Sequence, residues 1–76
     1  MNQHKIVIAY LKKYRDPSCT YPRIGDAVGV SIKTIQYIAN KARHRPLYDT
    51  IMNIIRWAET NDPAGIAKAV KSVKGW

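Results

Sequence analysis

The chain has 76 residues, 46% of them hydrophobic, which is the composition of a folded domain and not of a disordered tail. Its 13 lysines and arginines against five aspartates and glutamates give a net charge of +8. This excess favours a polyanionic partner, because phosphates neutralised by cations release condensed counterions. No apolar run approaches the roughly 18 residues that a membrane span requires, and the apolar stretch at residues 6–11 is too short for a secretion signal. We therefore expect one soluble, cytoplasmic domain over residues 1–76.

Residues that could carry catalysis or bind a metal are scarce. Cys19 is the single cysteine, which excludes an internal disulfide and a cysteine-rich zinc site. His4 and His44 are far apart in the sequence, and no carboxylate or cysteine is spaced to join them. The chain also offers no paired carboxylates and no nucleophile with a spaced histidine. We expect no enzyme activity, no metal, no cofactor and no small-molecule ligand.

Helical periodicity predicts five helices and no strand. The first helix covers about residues 3–15, and Pro17 ends it. Its apolar residues recur at helical spacing as Val7, Tyr10, Leu11 and Tyr14, with Ile6, Ile8 and Ala9 widening the face.

The second helix covers about residues 22–28 and ends at Gly29, which adopts positive φ without steric cost. Ser31 is a favourable N-cap for the third helix, residues 31–42, since its hydroxyl accepts a hydrogen bond from an exposed backbone N–H. The apolar residues that we expect to face inward here are Ile24, Val28, Val30, Ile35, Ile38, Ala39 and Ala42.

The fourth helix covers about residues 46–60 and the fifth residues 62–76. Asp62 as N-cap followed by Pro63 as first helical residue is a favoured helix start. The expected inward residues are Leu47, Ile51, Ile54, Ile55 and Ala58 in the fourth helix and Ile66, Ala69, Val70 and Val73 in the fifth.

Residues 21–43 have the pattern of a helix-turn-helix motif. Apolar residues fill the positions that seal two helices crossing at roughly 90–120°, on both sides of the turn at Gly29. Gly25 lies where the second helix approaches the third. A glycine inside a helix costs about 1 kcal/mol relative to alanine, so its presence indicates a close packing contact.

The segment resembles the helix-turn-helix of phage repressor and Cro proteins, and the likeness extends over about residues 6–58. It rests on the turn Val28-Gly29-Val30-Ser31, on the third helix, and on the basic connector and amphipathic helix that follow. This sequence departs from the family in its longer link at residues 16–21 and in Gly25, where alanine is usual. Winged-helix regulators share the front half, but they need a β-hairpin where residues 47–60 have helical periodicity. The resemblance implies an all-α, lambda-repressor-like bundle.

In such proteins the third helix enters the major groove. Lysine suits a guanine edge, glutamine or asparagine suits an adenine edge, and isoleucine packs on a thymine methyl group. The resemblance therefore implies that the candidate base-reading residues are Ser31, Ile32, Lys33, Thr34, Gln36, Tyr37 and Asn40. The candidate phosphate-binding residues are Arg23, Lys41, Arg43, His44 and Arg45.

The fifth helix carries an apolar stripe with two open interpretations. One helix-turn-helix reads about half a site, and a twofold dimer sets two reading helices about 34 Å apart. The candidate dimer-interface residues are Trp57, Ile66, Val70, Val73 and Trp76. Alternatively, the stripe folds back on the core of the monomer.

We expect a sequence-specific transcriptional regulator that binds double-stranded DNA as a homodimer. Two alternatives stay open: an accessory DNA-binding factor in recombination, replication or packaging, and a helical protein-interaction module whose basic charge is incidental.

Overall fold

The computed structural model describes residues 3–40 and 46–73. Over these residues the protein is all-α, and no strand is formed, which confirms the predicted helical bundle. The helices are α1 (Gln3–Ala9), which continues into a π-helical turn (Tyr10–Tyr14), α2 (Tyr21–Val28), α3 (Ile32–Asn40), α4 (Tyr48–Asn61) and α5 (Pro63–Val73). Where both ends of a predicted helix are described, its bounds agree within two residues.

The first helix is the element on which α3, α4 and α5 pack. With its π-helical turn, α1 contacts α3 and α5, and α1 itself also contacts α4. Helix α2 contacts α3 and α4, whereas α5 contacts neither α2 nor α3. The helices therefore close a ring of contacts in the order α1, α3, α2, α4, α5, and α3 and α5 both contact the first helix without contacting each other.

The predicted apolar faces form one core. Its buried members are Ile6, Val7, Tyr10, Leu11, Ile24, Ile35, Ile38, Ala39, Ile51, Ile54, Ala58, Ile66 and Ala69. Half-buried apolar residues surround it, among them Val28, Val30, Ile55, Val70 and Val73. Ala42 lies outside the described residues.

One detail of the sequence prediction is wrong. Leu47 does not face inward: it is 76% exposed, because α4 begins at Tyr48 and Leu47 is its extended N-cap residue. The first helix spans the predicted residues, and its end, Tyr10–Tyr14, is a π-helical turn that the sequence did not indicate. Such turns widen the helix locally, and this one buries both Tyr10 and Leu11.

Asp62 joins three parts of the chain through one buried carboxylate. As predicted, it caps α5, and its Oδ1 accepts a hydrogen bond from the Gly65 N–H at 3.2 Å. Its Oδ2 accepts two more, from the Tyr10 hydroxyl at 2.9 Å and from the Asp16 N–H at 2.8 Å. Burial, and then the hydrogen bond to Asp62, raise the pKa of Tyr10, so the phenol stays protonated and keeps donating. The carboxylate thereby fixes the start of α5 to the end of the first helix.

Gly65 is required by the same junction. A Cβ atom at this position would lie 2.6 Å from the Tyr14 carbonyl oxygen and 2.6 Å from Asp62 Oδ2. Real Cβ atoms essentially never approach other atoms so closely, so only glycine lets α5 approach the π-helical turn.

Among the residues that the structure describes, no helix combines the length and the apolar character that crossing a membrane requires.

We predict that Asp62→Ala lowers the free energy of unfolding by about 3 kcal/mol or more, because it leaves the buried Tyr10 hydroxyl and two N–H groups without their acceptor. Tyr10→Phe, which removes one hydrogen bond to a charged group, costs about 1.5–3 kcal/mol. Urea denaturation followed by circular dichroism measures both.

The matched control is Asp26→Ala, which removes an exposed acidic residue from α2 and changes the free energy of unfolding by no more than about 0.5 kcal/mol. Equal effects of Asp62→Ala and Asp26→Ala would show that the buried carboxylate contributes nothing to stability.

Candidate functional site

Helices α2 and α3 are joined by a tight turn at residues 29–31. Thr20 caps α2 by accepting a hydrogen bond from the Arg23 N–H. At the other end Gly29 has φ 78°, the left-handed conformation predicted for it. The N–H groups of Gly29 and Val30 both donate to the Gly25 carbonyl oxygen, at 2.8 and 2.9 Å. These bonds end α2 sharply and direct the chain into α3.

The close approach expected at Gly25 lies against the backbone of this turn. A Cβ atom on Gly25 would be 2.7 Å from the Val30 carbonyl oxygen, and the next nearest atoms belong to the backbone of Ser31 and Ile32. A backbone oxygen cannot rotate away as a flexible side chain can. The missing side chain therefore sets how closely the start of α3 lies against α2.

Helix α3 has one buried face and one exposed face. Ile35, Ile38 and Ala39 are buried in the core and fix the helix to the bundle. The exposed residues recur at the spacing of a single helix face, and we call this set the outer face of α3: Lys33, Gln36, Tyr37 and Asn40. The helix carries no acidic residue. The charged side chain of Lys33 and the amide side chains of Gln36 and Asn40 thus share one exposed surface, and the buried face fixes the helix to the core.

Two of the predicted base-reading residues cap the helix. The Thr34 N–H donates to Ser31 Oγ at 3.2 Å, and the two hydroxyl oxygens lie 3.1 Å apart. Thr34 is half-buried, whereas Ser31 is exposed. Their hydroxyls are engaged with each other at the start of α3, so the outer face extends from Lys33 towards Asn40.

Apolar surface is also exposed at α3. The side chains of Ile32 and Tyr37 are large and hydrophobic, yet they are 42% and 40% exposed. Exposed apolar groups beside amide and cationic groups suit a partner that itself presents both kinds of surface.

Arg23 is held near the start of α2. Its Nη1 donates to the Ser18 carbonyl oxygen at 3.3 Å, and its guanidinium carbon lies 5.5 Å from the centre of the Trp57 ring. Hydrogen bonds from the Ser18 N–H and hydroxyl lower the pKa of Asp16, and the charge of Arg23 lowers it further. The side chain is exposed, so guanidinium donors that these contacts leave unused face solvent.

The other predicted phosphate-binding residues lie outside the described residues: Lys41, Arg43, His44 and Arg45.

A brace that the sequence did not suggest holds the link between the first two helices. The guanidinium carbon of Arg15 lies 4.7 Å from the centre of the Tyr21 ring, and Nη1 donates to the Cys19 carbonyl oxygen at 3.0 Å. Cys19 itself is buried. The long, proline-containing link therefore has a fixed course that determines where α2 begins.

The predicted interface stripe packs largely on the monomer. Ile66 is only 5% exposed and belongs to the core, as the fold-back interpretation expects. Trp57, Val70 and Val73 are half-buried against the same core, and Trp76 lies outside the described residues. Part of the stripe lines a groove of about 500 Å³ between α4 and α5, whose lining is Ile55, Glu59, Pro63, Ile66, Ala67, Val70 and Lys71.

Within residues 3–40 and 46–73, no group of three or more histidine, cysteine or acidic side chains is arranged to hold a metal ion. No protein-family profile, curated protein or solved structure matches the chain.

We predict that Gly25→Ala lowers the free energy of unfolding by about 1–3 kcal/mol, the usual cost of overpacking, even though alanine is the better helix former. The added methyl group meets the Val30 carbonyl oxygen, and relief requires the turn to shift. Thermal and urea denaturation measure the change.

Asp26→Ala is the control, because it introduces the same residue at the next, exposed position of α2 and has no such contact. It is expected to be neutral or slightly stabilising. A Gly25→Ala protein as stable as Asp26→Ala would contradict the steric role of Gly25.

Proposed function

We propose that this protein is a sequence-specific, double-stranded-DNA-binding transcriptional regulator whose residues 21–43 act as a helix-turn-helix. The observation that carries the proposal is the outer face of α3, where Lys33, Gln36 and Asn40 are exposed on one side of a helix whose other side is fixed in the core. A base-reading helix needs both properties, since its side chains must reach base edges from a rigid support.

The chemistry of this face matches the major groove. Lysine donates to guanine O6 and N7, and a glutamine or asparagine amide pairs with adenine N6 and N7. Each good bidentate pair is worth roughly 1–3 kcal/mol of discrimination against a wrong base. The exposed methyl groups of Ile32 offer a contact for a thymine methyl group.

The charge of the chain supports the same proposal. The net charge of +8 favours phosphate binding. Arg23 lies in the first turn of α2, where the positive end of the helix dipole adds to the attraction for an anion. Together with the basic residues at 41–45 of the sequence, it would fix the register on the duplex without reading bases.

A homodimer would provide the second half of a symmetric DNA site, and the α4–α5 groove is the surface we propose for it. The groove combines apolar residues, including Val70, with one acidic residue, Glu59, and one basic residue, Lys71. In a twofold arrangement the same surface meets itself, so Glu59 of each copy can approach Lys71 of the other. Because α5 does not contact α3, this interface leaves both outer faces free.

We predict that Lys33→Ala combined with Asn40→Ala lowers the affinity for a selected duplex by about 100-fold, which corresponds to about 2.7 kcal/mol, and leaves the melting temperature unchanged. The selected duplex is obtained by repeated selection from a random pool, and its affinity is measured by fluorescence anisotropy against random duplex at fixed salt concentration.

The control protein carries Lys68→Ala with Asn53→Ala, which removes the same two residue types from exposed positions on α5 and α4. It should keep its preference for the selected duplex. Equal affinity of the native protein for selected and random duplexes would contradict sequence-specific recognition, and equal losses in both variants would contradict reading by α3.

For the dimer, we predict that Glu59→Lys and Lys71→Glu each weaken self-association by roughly tenfold, because each puts two like-charged pairs at a twofold interface, at about 0.5–1 kcal/mol a pair. Combining both substitutions restores opposite charges and recovers association. Sedimentation equilibrium measures each protein. A double variant that associates no better than the single variants would exclude this groove as the interface.

A further inference from the structure

A second groove lies beside the first helix, and no residue of α3 lines it. It has a volume of about 400 Å³ and runs between the first helix and the end of α5. The described residues that line it, which we call the lysine groove, are Lys5, Ile8, Ala9, Lys12, Lys13, Tyr14, Ser72 and Val73.

The lining of the lysine groove has two chemical characters. Ile8, Ala9 and Val73 are half-buried and give it an apolar part, while Lys12 and Lys13 are exposed and give it positive charge. None of the five acidic residues of the chain lines it. The groove therefore combines the exposed ammonium groups of Lys12 and Lys13 with half-buried apolar side chains, and no acidic residue lines it.

This combination selects among binding partners. A nucleic-acid backbone would satisfy the lysines but would leave the apolar lining without a contact. A purely apolar segment would fill the groove but would not neutralise the lysines. A peptide helix with apolar residues at i, i+3, i+4 and i+7 and carboxylates beside them supplies both kinds of contact, as in other helix-in-groove complexes.

We propose that the lysine groove binds an acidic, amphipathic helix of a partner protein. No residue of α2, α3 or α4 lines the groove, and α5 does not contact α3. The partner therefore occupies a surface separate from the outer face of α3, and both can be occupied together. The proposal does not depend on DNA binding.

The probe is a synthetic helical peptide of about 16 residues, long enough to form a helix on binding, with leucine at the i, i+3, i+4 and i+7 positions and glutamate beside them. Titration into the ¹⁵N-labelled full chain is followed by heteronuclear NMR. We expect saturable shifts at the amides of Lys12, Lys13, Ser72 and Val73. Two companion peptides, one with glutamine for glutamate and one with serine for leucine, should each bind at least about tenfold more weakly, a loss of 1.4 kcal/mol.

Lys12→Gln combined with Lys13→Gln should lower the peptide affinity about tenfold, since it removes charge and leaves the apolar lining in place. The matched control is Arg56→Gln with Lys68→Gln, which removes two exposed charges that do not line the groove and should change the affinity less than about twofold. Circular dichroism melting establishes that both variants fold. Because Ile8 lines the groove, Ile8→Asn tests the apolar contact separately and should also weaken binding.

Three results would overturn the proposal. The first is the absence of saturable binding up to about 1 mM peptide, which means less than about 4 kcal/mol of binding free energy. The others are amide shifts centred on α3 or α4, and an equal loss of peptide affinity in the lysine variant and its control. Displacement of the peptide by random duplex DNA, with the same dependence on Lys12 and Lys13, would instead assign the groove to phosphate binding. None of these outcomes bears on whether α3 reads DNA, which the selected-duplex measurement decides separately.

Discussion

The carboxylate of Asp62 accepts hydrogen bonds from Tyr10, from the backbone at Asp16 and from the backbone at Gly65, and so joins the start of α5 to two distant parts of the chain. A buried acidic group without these donors would cost free energy, so its burial requires the junction to be complete. The junction holds α5 against the first helix, and the absence of a side chain at Gly65 permits the close approach. Because the first helix also supports α3, the position of the outer face depends indirectly on this interaction.

The first helix contacts three other helices, α3, α4 and α5. Helices α3 and α5 both pack on it, and these two helices do not contact each other. As a result the outer face of α3 and the lysine groove are separate surfaces, and the α4–α5 groove is bordered by different residues again. A small domain can in this way offer distinct surfaces to DNA, to a second copy and to a protein partner. DNA binding, self-association and peptide binding are tested by separate measurements.

Local chemistry made much of the candidate site predictable. Ser31 and Asp62 cap their helices, and Gly29 adopts positive φ, because each of these roles depends on groups within four residues along the chain. The buried face of α3 followed from the spacing of Ile35, Ile38 and Ala39, and the exposed face is its complement. The same reasoning failed at Leu47, where the apolar pattern continued one residue beyond the start of α4. The contact between the Ser31 and Thr34 hydroxyls, whose oxygens lie 3.1 Å apart, is a detail that the predicted cap at Ser31 did not specify.

What the sequence determined is therefore the set of helices, their caps, the apolar faces and the excess of positive charge, since helical period and capping act over a few residues and charge is a property of composition. What only the tertiary structure decided is which distant groups meet. The hydrogen bond between Tyr10 and Asp62 joins residues 52 positions apart. No local sequence pattern predicted the π-helical turn, the contact between Arg15 and Tyr21 or the lysine groove. Such contacts depend on how the helices pack, because packing brings together side chains whose separation along the chain carries no periodic signal.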